Sequence, residues 1–239
     1  MRAMTAWGVD GCRSGWFWFR LNGVCATCGV APAFNDLAAG VGDTDRLFVD
    51  IPIGLVDGAR PCDTEARRLL GPRASSVFPA PPRAVLEAPD YPTANARSRT
   101  LSGRGLSKQA WRIVPKIREV DSALRRHERL RSIVREVHPE LCFRALNGGR
   151  PLAHYKKTRP GFEERIELLA AAWPGAEDVA GRALLRHCDA GVARDDVLDA
   201  LVNAVTARCP AHRLATVPEA PGRDATGLPM EMVYAAATP

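Results

Sequence analysis

The sequence has little that would place it in a membrane or outside a cell. Nowhere in its 239 residues does an uninterrupted apolar run approach the roughly 18 residues that a membrane span needs. The opening stretch, MRAMTAWGVDG, has no apolar core of the secretory kind. The seven cysteines, at 12, 25, 28, 62, 142, 188 and 209, are odd in number and scattered, unlike a secreted disulfide framework. A cytoplasmic protein with no membrane partner is the expectation. Zinc-type signals are also missing. Cys25 and Cys28 are followed by no second pair at zinc distance, and odd spacing on a strand sends two side chains to opposite faces. His127, His154, His187 and His212 have no partner at ligand spacing. Gly8, Gly11 and Gly15 are too loosely spaced for a dinucleotide fingerprint. Aromatics make up only 6% of the chain, and Trp7, Trp16 and Trp18 read as packing within the first strand pair rather than as a base-stacking platform.

What is present is ordinary globular material, 46% hydrophobic and 25% charged, in a chain long enough for one sizeable core with an inserted subdomain. The net charge of +6 is unevenly spread. Residues 60–135 hold 17 Lys/Arg against 7 Asp/Glu, a net of +10, and the remainder holds 16 against 20, a net of −4. An acidic site beside a basic surface suits a metal enzyme acting on a polyanion. A solvated, Arg-rich helical surface is the plainer alternative.

The pattern along the chain predicts strands at Trp7–Cys12, Trp16–Leu21 and Val24–Val30, with Asn22-Gly23 as a hairpin turn. A short helix over Asp36–Val41, capped by Asn35 or Asp36, precedes a strand at Arg46–Ile51. Thr64–Leu70 reads as a helix, 75–83 as Pro-rich loop, 88–105 as a segment without pattern, and Lys108–Arg131 as a long amphipathic helix interrupted or kinked at Pro115. Strand composition returns at 132–137 and stops at Pro139. Helices follow near Gly161–Ala172, Ala176–Cys188 and Asp195–Arg208, with a late edge strand over Pro229–Ala235. This order fits a single RNase H-like α/β domain over 1–239. It has a mixed five-stranded sheet flanked by helices and a basic, mainly helical insertion at 60–132.

Several acids fall where chemistry could use them. Asp10 lies within the first strand, where a carboxylate is costly unless paired, hydrogen-bonded or bound to metal. Asp50 ends the fourth strand and either serves a metal or orders the turn before Ile51-Pro52. Strand alternation puts Glu136 and His138 on one face, a pair usable for metal or acid–base work, and Pro139 leaves the direction of Glu140 open. The sharpest local signal is DDVLDAL (195–201). On a helix with Leu198 at 0°, Leu201, Val202 and Val205 fall at about 300°, 40° and 340°, a core stripe. Asp195, Asp199 and Asp196 fall at about 60°, 100° and 160°, on one flank at the border between core and solvent. A divalent cation would relieve their repulsion. Capping accounts for Asp195 or Asp196 but less well for Asp199, a turn further in.

The segments GVDGCRSGW (8–16), VDIPIGL (49–55), CDTEAR (62–67), SSVFPAPPR (75–83), GLSKQAW (105–111), PKIREVD (115–121), EVHPELCFRAL (136–146) and DDVLDAL (195–201) resemble the predicted RNase H-like nucleases of domain-of-unknown-function family four-two-nine. More distantly, the layout is similar to Holliday-junction resolvases. The resemblance implies Asp10 as the first-strand acid, Glu136 as the central-strand acid, Asp196 with Asp199 as the helix pair, and Asp50 and Asp195 as further metal ligands. Arg73, Ser75, Ser76, Arg83, Lys108, Gln109, Lys116 and Arg118 lie in the family-like motifs and, with His138, suit phosphate oxygens. Equally, they could pair with the site's own acids or cap helices. Mg²⁺ or Mn²⁺ is the implied cofactor, DNA or RNA the implied partner, and phosphodiester hydrolysis by two ions about 4 Å apart the implied chemistry. Two rivals remain: a nucleotide phosphotransferase or ATPase of the actin-like fold, and a non-catalytic nucleotide- or nucleic-acid-binding module.

Overall fold

A computed structural model describes residues 4–187 and 189–236. Three antiparallel strands open the chain: β1 (Ala6–Cys12), β2 (Gly15–Asn22) and β3 (Cys25–Ala31). Asn22 is still paired, opposite Cys25, so the two loop residues are Gly23 and Val24, with Gly23 at φ 60°. Helix α1 (Phe34–Ala39) is capped by neither Asn35 nor Asp36, since its N-cap is Ala33, which has no side-chain hydrogen bond. Strand β4 (Arg46–Val49) then runs parallel to β1.

Between β4 and β5 the chain is helical: α2 (Pro61–Leu70), two 3₁₀ turns at Gly71–Ser76 and Arg83–Glu87, α3 (Tyr91–Ser102), α4 (Lys108–Arg126) and α5 (Glu128–Ile133). Two details differ from expectation. The patternless segment holds α3, nucleated by Asp90, whose carboxylate accepts the Thr93 N–H. Pro115 does not interrupt α4, which runs straight through it to Arg126 and ends before Arg131. Strand β5 (Val134–Glu136) joins β4 in parallel. Pro139 starts α6 (Pro139–Leu146) rather than only stopping the strand, because proline is well suited to the first helical turn. Helices α7 (Arg159–Ala172), α8 (Ala176–His187) and α9 (Arg194–Ala207) follow. The expected α8 end at Cys188 lies outside the described residues. The late strand, β7 (Met232–Ala235), pairs with β6 (Leu214–Val217), which has no counterpart in the sequence expectations.

The main sheet has five strands in the order β3-β2-β1-β4-β5, mixing antiparallel and parallel pairs, and helices cover both faces. One apolar cluster joins Trp7, Val9, Leu47, Val49 and Val134 to α1 and α4. Another, on the opposite face, joins Ala6, Phe17, Phe19 and Phe48 to α6, α7, α8 and α9. Helix α9 lies directly on β1. A Cβ on Gly8 would sit 2.0 Å from the Ala204 nitrogen and 2.2 Å from the Ala200 oxygen, so only glycine lets the two backbones meet. The helix is therefore buried on all sides from Val197 to Ala207 and not amphipathic as its projection suggested. Among the described residues no helix is long and apolar enough to cross a membrane.

Candidate active site

The carbonyl of Val9 fixes the relative height of three elements. It accepts the Asp50 N–H from the loop after β4 at 3.1 Å and the Asn203 side-chain amide from α9 at 3.1 Å. Since Val9 pairs with Val49, the next residues, Asp10 and Asp50, stand side by side on adjacent parallel strands. Alternation turns both toward the face that α9 covers. Asp199 lies one turn before Asn203, and Asp196 a further turn toward the helix start. Asp10, Asp50, Asp196 and Asp199 therefore converge from three elements, as their electrostatic influence on Asp10 also requires. They line a cavity of roughly 490 Å³ beyond the carboxyl ends of β1, β4 and β5. Open α/β sheets characteristically bind ligands in that position.

Burial is the dominant force on these acids. Asp10 is 8% exposed and Asp199 2%. Burial first, then repulsion from Asp50, Asp199 and Asp196, holds the Asp10 carboxyl well above the usual range, with Lys156 opposing. Burial pushes Asp50 up to about 7, against the pull of Lys156 and with help from Glu140. It pushes Asp196 and Asp199 up to about 6. One cation is already present: Lys156 Nζ lies 2.7 Å from Asp199 Oδ2 and 3.3 Å from Asp195 Oδ2. Burial disfavours its charge, but Asp199, Asp10 and Asp195 outweigh burial and hold it protonated. Asp196 also serves as a cap, its Oδ2 accepting the Ala193 N–H at 2.8 Å.

Glu136 and His138, read together on one face of the strand, both line the cavity. Glu136 pairs in register with Val49, so it leaves the strand on that residue's face rather than on that of Asp10 and Asp50, yet it lines the same cavity. Its carboxylate is held in a fork by Arg60, Nη1 to Oε2 at 2.8 Å and Nη2 to Oε1 at 2.7 Å, and Oε2 also accepts the Ile53 N–H at 2.6 Å. Arg60 in turn binds Asp63. A second acid from this part of the chain, Glu140 in the first turn of α6, lines the cavity as well. One of its oxygens pairs with Arg165, and the other, Oε2, is buried with no partner.

The basic candidates also divide. Lys116 reaches from α4 to the Gly15 carbonyl, lies 4.7 Å from the Trp16 ring centre, and passes against Gly11. Arg73 lines the cavity but spends its guanidinium on the Leu152 and Ala153 carbonyls, anchoring the loop that carries Lys156. Ser75, Ser76, Gln109 and His138 also line the cavity. Burial lowers the His138 imidazole below its usual range, and its Nδ1 has no partner. Arg83 instead bridges Asp121 and Asp224, and Lys108 and Arg118 are exposed and outside the lining. Lys156, Glu140, Arg60 and Asp63 belong to the site without having been singled out by spacing.

Hard oxygen donors in this number suit Mg²⁺ or Mn²⁺, and the orphaned Glu140 Oε2 is a donor without an acceptor role elsewhere. In the present arrangement, no group of three or more His, Cys, Asp and Glu among the described residues is set to hold a metal ion. Lys156 occupies the charge position that a cation would take. Of the discounted signals, Cys28 approaches His187, Sγ to Nε2 3.8 Å, far from this cavity's lining.

Comparison with curated proteins and with solved structures gives no match. A family model described as "Protein of unknown function (DUF429)" matches residues 8–223, which takes in every acid of the cavity, and the chain belongs to that family.

Proposed function

We propose that the chain is a cytoplasmic hydrolase that cleaves phosphodiester bonds in DNA or RNA with the help of Mg²⁺ or Mn²⁺. The observation that carries this reading is the convergence of Asp10, Asp50 and Asp199 in one cavity, with Asp196 and Glu140 beside them. Carboxylates this buried and this close are stable as anions only with a cation between them. Asp10, Asp50 and Asp199 would hold the ion, with Asp196 and Glu140 as further oxygens. A bound divalent ion supplies charge neutralisation at the scissile phosphate and a water acidic enough to attack it. The chain's own part is positional. Lys116, fixed by the Gly15 carbonyl, presents an ammonium next to Asp10-Gly11 where a phosphate oxygen would lie. His138 lines the cavity with an unpartnered Nδ1 that can accept a hydrogen bond from a bound group. Phe78 and Ile113 add apolar wall to the cavity.

The test is Mn²⁺ binding by calorimetry together with cleavage of labelled single-stranded DNA and RNA. Asp10→Asn and Asp199→Asn are each expected to lose both. Cleavage that survives both changes would overturn the assignment.

The contact of Lys156 with Asp199 and Asp195 favours one rival, a non-catalytic binding module in which the lysine permanently replaces the ion. That reading expects no Mn²⁺ binding by the wild-type chain and tight binding after Lys156→Ala.

A further inference from the structure

Two acids of the cavity, Asp10 and Asp199, are buried beyond the reach of a flat or convex polymer surface, while Asp50 and Asp196 are half-buried. Asp199 is 2% exposed and Asp10 8%, and both sit at the base of a cavity of roughly 490 Å³. A ligand that reaches them must enter the cavity, which is of small-molecule size; the outside of an intact duplex offers nothing that small to insert. The walls describe what enters. Charged groups lie at the sheet side: Lys116 beside Asp10-Gly11, and Lys156 against Asp199. Phe78, Ile113 and Tyr155 provide apolar and aromatic surface in the same cavity, and the amide of Gln109 adds a paired donor and acceptor. Two buried polar atoms of the lining, Glu140 Oε2 and His138 Nδ1, have no partner in the chain. Phosphate chemistry at one part of the wall and a flat ring with a hydrogen-bonding edge at another is the chemistry of a nucleotide.

We infer that the cavity takes one nucleotide at a time, a nucleoside phosphate either free or at the end of a single strand, and excludes the backbone of an intact duplex. This rests on the proposed phosphoryl chemistry for its choice of ligand, but it concerns binding and holds whether or not the bond is cut.

The experiment is a titration of the full chain with an equal mixture of the four nucleoside 5′-monophosphates in the presence of Mn²⁺, read by calorimetry. Displacement is then attempted with a linear single strand and with a covalently closed duplex that has no ends. Mononucleotide binding is expected, weakened about tenfold or more both in Lys116→Ala and in Gln109→Trp. The second variant fills an exposed position of the lining, so its folding is not at stake, and thermal melting verifies both. The closed duplex is expected not to displace the mononucleotide. Displacement by the linear strand assigns the site to strand ends, and its failure assigns it to free nucleotides. Absence of mononucleotide binding, or displacement by the closed duplex at equal concentration, overturns the inference. Binding without cleavage of any nucleic acid would leave the inference standing and remove the hydrolase reading. Cleavage inside the closed duplex would do the reverse.

Discussion

At the carboxyl end of β5, Glu136 and Asp63 share one Arg60, and nearly every polar atom has a partner. The Arg60 guanidinium also reaches the Ile53 carbonyl at 2.8 Å, and Asp63 Oδ2 accepts the Ala80 N–H at 3.0 Å. A few residues away, Asp10, Asp50, Asp196 and Asp199 have Lys156 as their nearby cation, and the neighbouring Glu140 Oε2 has no partner. The first group carries two carboxylates for one cation, and the second, once Asp195 is counted with the other four, five for one. Both are buried, so burial alone does not mark function. The difference lies in closure: a network that satisfies itself holds loops together, and one left short of positive charge is built to receive it.

The largest expected effect breaks the closed network. Arg60→Ala leaves two buried carboxylates unpaired and is expected to cost about 3–5 kcal/mol of stability by urea denaturation. A loss under 1 kcal/mol would mean that Arg60 is not the keystone and would return Glu136 to the list of metal ligands. Next, Asp10→Asn is expected to reduce Mn²⁺-dependent cleavage roughly 100-fold with no loss of melting temperature, because it relieves repulsion. A clear fall in melting temperature would make Asp10 structural and erase the contrast. Third, Lys156→Gln removes the competing ammonium and is expected to tighten Mn²⁺ binding about tenfold, toward the low end of what a charge at short range exerts. Unchanged affinity would show that the lysine moves aside at no cost.

The smallest effect is in the pH dependence. Asp50 at about 7 and Asp196 and Asp199 at about 6 are raised above their unfolded values, so the native state binds more protons than the unfolded one between those limits. Their contribution is fully present below about pH 4 and is lost as pH rises through about 6 to 7. Melting temperature without metal is expected to fall across that window, and the gain from added Mn²⁺ to grow. A melting temperature that rises over the same window in Asp50→Asn and wild type alike would locate the titration elsewhere.

How much of this could be read from the sequence follows the range of the interactions. The meander of β1 to β3 shows in alternation and in a glycine at the loop, both local. Asp199 stood out because capping could not explain an acid one turn into a helix. Helix α3 did not show, since it buries only Ala94 and Ser98 and so has no apolar stripe. Strand β6 gains its meaning only from β7, some 15 residues later. Arg60 and Glu136 are 76 residues apart, and Lys156, in a stretch without regular structure, is 43 residues from Asp199. Such pairings depend on register, and one residue of register sends every side chain of a strand to the other face.

The contact at Gly8 bears on how the cavity could work as a moving part. With no side chain between β1 and α9, Asp10 and Asp199 are mounted on two backbones that touch, and neither mount can yield without lifting a buried helix off the central strand. They form a fixed jaw. The opposing jaw is the loop before α7, which brings Lys156 to the acids from a segment tied down by Arg73 through two backbone carbonyls. Whatever enters the cavity meets that loop across from the acids, and the geometry presented to the incoming group is set in advance by a residue that has no side chain at all.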